Sequence, residues 1–135
     1  MTISFNGLGN EGRLGNQLFQ YAFIRGMAAK CNFDWMIPES DAPRYDNYGL
    51  FDCFELSGCK QTGESNFPTI ECRDTLFHQE FFDECGDNTN YSGIYQTEKY
   101  FEHISDEIYN VTKETVTVKA VGDICKLLYI FVDCG

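Results

Sequence analysis

Gly12-Arg-Leu-Gly-Asn-Gln-Leu-Phe-Gln-Tyr-Ala22 passes from a glycine-punctuated loop, begun at Gly7, into a helical apolar period. Ile3 to Phe5, just before the loop, reads as the end of a first strand. Phe19, Ala22, Phe23, Gly26 and Met27 recur at three- and four-residue spacing. That spacing predicts an amphipathic helix from about Asn16 to Lys30, with Gln17, Gln20 and Arg25 outside its apolar face. Cys31-Asn32 ends the helix, and Phe33 to Ile37 reads as a second strand stopped by Pro38. Strand, loop, helix and strand over this length predict a right-handed βαβ unit with parallel strands, hence an α/β fold. The loop-to-helix junction offers backbone N–H groups and the positive end of a helix dipole, the local requirement for binding an anion.

The chain has 135 residues and a mass of 15.5 kDa, enough to bury one core. Hydrophobic content of 43% with 16% aromatic excludes a disordered chain. A formal net charge of −11 sets a field that repels polyanions, so no nucleic-acid partner is expected. A bound nucleotide would have its phosphates met locally, and Arg13 is the basic residue in the right loop. No apolar run of about eighteen residues occurs, so no membrane span is expected. Met1 to Asn10 lacks a signal-peptide pattern, which points to a cytoplasmic location and leaves peripheral membrane association open. Seven cysteines without a C-x-x-C, and two histidines far apart, argue for reduced thiols and against a metal centre. Under that reading the sequons Asn90-Tyr91-Ser92 and Asn110-Val111-Thr112 carry no meaning.

Beyond Pro38 the chain turns polar to Asn47. Tyr48 to Leu56 is aromatic and apolar, and Gly58 to Phe67 reads as another loop. Thr69 to Cys72 suits a short strand, and Gln79 to Cys85 a short helix with Phe81 and Phe82 inward. Asp87 to Gly93 reads as a turn, Ile94 to Gln96 as a strand end, and Thr97 as a helix N-cap. Phe101, Ile104 and Ile108 then form an apolar helix stripe with Asp106 and Glu107 outside it. Val116 to Ala120 alternates, and Leu127 to Val132 has the length of a buried strand.

Gly7-Leu-Gly-Asn-Glu-Gly12 matches G-x-G-x-x-G, and Asp34 lies where a ribose-binding acid is expected, so a dinucleotide-binding oxidoreductase reading is available. Spacing weighs against it. The third glycine of that fingerprint belongs inside the helix start, whereas here the apolar period begins only after Gly15.

Gly12 to Ala22 resembles the N-terminal signature of the α-1,2-fucosyltransferase family, Gly-x-Leu-Gly-Asn-Gln, an apolar pair, then Gln-Tyr-Ala. Gly93-Ile-Tyr-Gln-Thr-Glu-Lys-Tyr-Phe101 is similar to the same family's Gly-Tyr-Phe-Gln and Tyr-Phe segment. The resemblance implies a Rossmann-like parallel sheet with flanking helices, similar to the N-terminal lobe of a GT-B-type glycosyltransferase. It also implies transfer of L-fucose from GDP-fucose to a galactose 2-hydroxyl with inversion, with no required metal or other cofactor. GDP-fucose and a galactose-containing glycan are the implied partners. Carried onto this chain, the motifs point to Arg13, Gly15, Asn16, Gln17 and Gln96 as substrate-binding residues. Arg13 and amides at the helix start would stabilise the leaving diphosphate, and Asn16 would orient a phosphate oxygen or a hydroxyl. Asn16 and Gln17 also suit plain helix capping, and Arg13 a solvated loop position. His78 and His103 read as surface or packing residues, and the general base is unassigned.

One family element does not occur in the sequence. The donor signature His-x-Arg-Arg-x-Asp, expected after a strand such as Leu127 to Val132, is replaced by Asp133-Cys-Gly135. The expectation is therefore an N-terminal, acceptor-side domain at 1–112 and a truncated or diverged extension at 113–135, in a chain whose activity alone is in question. Self-association through the C-terminal apolar strand follows from that picture. A non-catalytic sugar- or nucleotide-binding module using the same loop is the alternative.

Overall fold

Four parallel strands in the order β2-β1-β4-β3 form the sheet of the computed structural model, which describes residues 1–12, 14–44, 48, 50 and 62–110. The strands are β1 (Thr2–Ser4), β2 (Asp34–Met36), β3 (Thr69–Cys72) and β4 (Thr89–Gly93). Helix α1 (Leu14–Cys31) crosses from β1 to β2, as the apolar period predicts. A short helix α2 (Glu80–Glu84) joins β3 to β4. After β4 come two 3-10 turns, Glu98–Tyr100 and Glu102–Ile104, and helix α3 (Ser105–Asn110). The α/β fold with a Rossmann-like, all-parallel sheet and flanking helices is thus present. The expected features at Arg13, most of Tyr48 to Leu56, the start of the Gly58 to Phe67 loop, the second sequon beyond Asn110, and 113–135 with Leu127 to Val132 lie outside the described residues.

Phe23 of α1 is the centre of the core. Its ring stacks on Tyr95 at 3.7 Å and meets Phe5, Tyr91, Tyr100 and Phe81 edge-on at 6.4, 5.3, 4.9 and 6.4 Å. Tyr91 lies in β4, Phe81 in α2 and Tyr100 in the first 3-10 turn, while Phe5 follows β1 and Tyr95 follows β4, so one side chain ties four parts of the chain together. Each favourable edge or offset contact adds to the burial of 150–250 Å² that an aromatic side chain contributes, on the order of 1 kcal/mol per pair. The opposite face of the sheet is polar. Ser4 Oγ donates to Asn90 Oδ1 at 3.0 Å, which also accepts from the Asn6 amide at 2.9 Å, and Asn90 Nδ2 donates to Thr69 Oγ1 at 3.0 Å. Every polar atom of the Asn90 side chain is engaged, so the sequon at Asn90 is sealed inside β4.

Three local expectations are corrected. Helix α1 is not amphipathic with Gln17 and Gln20 outside. Both are fully buried, beside Leu18, Tyr21, Ala22, Phe23 and Ile24. The cost of burial is offset in part because each amide nitrogen finds loop carbonyls: Gln17 Nε2 donates to Gly12 O at 3.1 Å, and Gln20 Nε2 donates to Gly93 O at 2.8 Å and Glu11 O at 3.3 Å, while Gln20 Oε1 has no hydrogen-bond partner among the described residues. A helix buried nearly all round has no polar stripe for periodicity to report.

The second correction concerns Asp87 to Gly93. The chain turns only up to Asn88, whose φ is +48°, and Thr89–Gly93 is then a strand paired on both sides. Ile94 to Gln96 lies beyond it. Thr-Asn-Tyr-Ser-Gly has the composition of a turn, and only its two neighbours make it a strand, the usual dominance of tertiary pairing over β-propensity. Gly93 is required there: its φ is +132°, and a Cβ would stand 1.8 Å from the Cys72 carbonyl oxygen.

The third concerns the thiols. Cys31, closing α1, and Cys85, closing α2, are joined by a disulfide with Cα atoms 5.6 Å apart, because α1 and α2 pack side by side. Reduced cysteines, the chemical ground for expecting a cytoplasmic location, therefore do not describe this pair. No helix among the described residues is long and apolar enough to cross a membrane.

Candidate functional site

In a parallel α/β sheet the loops at the carboxyl ends of the strands collect into one rim, where ligands bind. Here the loop after β1 and the loop after β4 meet on that rim, since β1 and β4 are neighbours. Glu11 fastens them together. One of its carboxylate oxygens accepts from Ser92 Oγ and, at 3.3 Å, from Arg73, and the other from the Gly93 amide at 3.4 Å. Gln20 ties the same two loops from below through Glu11 O and Gly93 O.

Above this clamp, Gln96 Nε2 donates to Asn16 Oδ1 at 2.5 Å, joining two motifs 80 residues apart. Local backbone geometry makes the meeting possible. Tyr95 is a non-glycine residue at φ +47°, a left-handed conformation costing about 1 kcal/mol, and it turns the chain sharply as it leaves β4. Burial of the Tyr95 ring against Phe23 and Phe5 holds it there, while exposed Gln96 is presented on the rim. Thr97 does act as a cap, its side chain accepting from the Lys99 amide at 3.4 Å, but it caps a 3-10 turn; the helix expected to carry Phe101, Ile104 and Ile108 is α-helical only from Ser105.

The expected site residues thus separate into groups. Asn16, Gly15 and Gln96 lie at the rim, with Asn16 and Gly15 half-buried in the first turn of α1. Gln17 does not face it; fully buried, it holds the loop from beneath and acts as a positioning residue. Arg13 lies outside the described residues. Glu11, Gln20 and Ser92 were not legible as a unit in the sequence, because nothing in it links residue 11 to residues 92 and 93.

The Asn16–Gln96 bond uses one acceptor and one donor of two amides, whose remaining groups are Asn16 Nδ2 and Gln96 Oε1. An amide donor and an amide acceptor are the groups that suit a sugar hydroxyl, which both donates and accepts. The helix start beside them adds the dipole field for an anion, with no acidic residue in its first turn to oppose it. Asp34 does not join this rim. It pairs with Thr2 at the amino ends of β1 and β2, the opposite end of the strand from a ribose-binding acid.

The histidines differ in setting. His103 Nε2 donates to Gly26 O at 2.9 Å, a packing role. His78 sits between two carboxylates, Asp74 at 2.8 Å and Glu80 at 3.3 Å, and the hydrogen bond to Asp74 raises its pKa above the ordinary value. Cys72 lies nearby, its thiol pKa pushed up by burial.

Set against protein-family models, curated proteins and solved structures, the chain matches none of them.

Proposed function

We propose that this chain supplies the Rossmann-like, acceptor-side lobe of an α-1,2-fucosyltransferase-like glycosyltransferase, with Asn16 and Gln96 on the rim that faces the transferred sugar or the galactose acceptor. The observation that carries the reading is the hydrogen bond between them, since it unites the two segments whose wording resembles that family. In the transfer, the acceptor 2-hydroxyl loses its proton to a base and bonds to the anomeric carbon of fucose as the bond to GDP breaks. Arg13 and the amides at the start of α1 are the groups of this lobe suited to the growing diphosphate charge. His-x-Arg-Arg-x-Asp does not occur in residues 1–135.

The test is ligand binding by saturation-transfer NMR with lactose and with GDP-fucose, alongside an assay for released GDP. GDP released only when lactose is present supports the transferase. Lactose bound without turnover, and lost in Gln96→Ala, supports an acceptor-side lobe. Binding of either ligand that is unchanged in both Asn16→Ala and Gln96→Ala, or no binding of either, sinks the proposal.

A further inference from the structure

Two strands along the same sheet edge, a second cluster assembles from β3 and the loop behind it. Cys72 ends β3, and Asp74 and His78 follow in the spacing Cys-x-Asp-x-x-x-His. One ligand atom from each, the thiol sulfur, a carboxylate oxygen and an imidazole nitrogen, all lie within 4.8 Å of one another. With bonds of about 2.0–2.3 Å to a shared zinc ion, ligand atoms fall within that span.

The supporting groups are also in place. His78 presents Nε2 to Asp74, while Nδ1 lies 3.3 Å from Glu80 Oε1. A carboxylate on the far nitrogen is the arrangement that orients a ligating histidine and selects the tautomer with its lone pair on the metal side. Asp74 is held by the Leu76 amide at 2.9 Å. The loop itself is pinned to the core by fully buried Tyr100, whose hydroxyl accepts from the His78 amide at 2.9 Å and donates to Leu76 O at 3.3 Å. Cys72 is the one free cysteine among the described residues.

We propose that Cys72, Asp74 and His78 form a binding site for a borderline-soft divalent cation of the zinc class, with Glu80 orienting His78. A thiolate and an imidazole select zinc over magnesium or calcium, which take oxygen ligands. Thiolate and carboxylate together balance the two positive charges, the thiol proton leaving to solvent as the sulfur–metal bond forms. Three protein ligands leave a fourth position for water, the pattern of an open rather than a closed zinc site. The assignment stands independently of the glycosyl-transfer reading, since none of its ligands belongs to the Asn16–Gln96 pair.

Titration of the chelator-treated full chain with Co²⁺ tests it. The expected result is one equivalent bound, with thiolate-to-cobalt charge-transfer absorption and the visible bands of a four-coordinate ion, both displaced by Zn²⁺. Cys72→Ser is expected to abolish the charge-transfer band. Glu80→Gln, at an exposed side chain that leaves the fold intact, is expected to weaken Zn²⁺ binding about 10- to 100-fold. A spectrum that stays that of the hydrated ion, a charge-transfer band that survives Cys72→Ser, or full affinity in His78→Ala overturns the site.

Discussion

The backbone carbonyl of Tyr100 rests on Gly26: a Cβ placed on that glycine would stand 2.0 Å from the carbonyl oxygen. This contact sets how closely α1 and the turn after β4 approach at this point. Alanine is ordinarily the better helix residue by about 1 kcal/mol. Here the sign reverses, because the obstacle is backbone and cannot swing away. Gly26→Ala is expected to destabilise the fold by about 3 kcal/mol, lowering Tm by about 10 °C. Thermal unfolding followed by circular dichroism decides it, and a variant as stable as the parent would show that α1 can retreat.

Asn16 and Gln96 offer a direct test of the rim. Either alanine variant alone leaves the fold intact, with a loss below about 1 kcal/mol for a partly exposed neutral bond. A double-mutant cycle in urea is expected to show coupling of about 0.5 kcal/mol. Strict additivity would mean that the two motifs do not meet in solution.

The Cys31–Cys85 bridge closes a loop spanning 54 residues, for which chain entropy gives about 4 kcal/mol. Reductant is therefore expected to lower the urea midpoint substantially. Cys31→Ser/Cys85→Ser should start at the lower midpoint and be indifferent to reductant. Equal midpoints for the oxidised parent and this double variant would deny the bridge its stabilising role.

Tyrosines give the fold an alkaline limit. Burial pushes Tyr91 and Tyr100 up to about 12 and Tyr95 higher still, against an ordinary value of 10.0. Between these values the folded chain keeps protons that the unfolded chain releases. The contribution is thus complete below pH about 10 and is lost as pH rises through about 12. Tyrosinate absorbance recorded with far-ultraviolet circular dichroism should show Tyr91, Tyr95 and Tyr100 ionising only as helix is lost. Complete ionisation near pH 10 with native dichroism would contradict the packing around Phe23.

The sequence by itself determined the βαβ start, the extent of α1 within about two residues, β3, α2 and the Thr97 cap. Each is written in local terms: apolar spacing, a stop at Pro38, a hydroxyl before a turn. It also brought Asn16 and Gln96 forward as residues of interest, through the wording of two motifs. Only the tertiary structure decided that they touch, that Gln17 and Gln20 are buried, that Thr89–Gly93 is a strand between β1 and β3, and that Cys31 finds Cys85. Physically, the hydrogen-bond partners that make a buried glutamine or a polar strand tolerable are supplied by distant segments. Gly93 reaches Gln20 across 73 residues, and Ser4 reaches Asn90 across 86. A periodicity set by backbone stereochemistry can be read from neighbours in the chain, but satisfaction of a buried polar group depends on which remote segment closes over it.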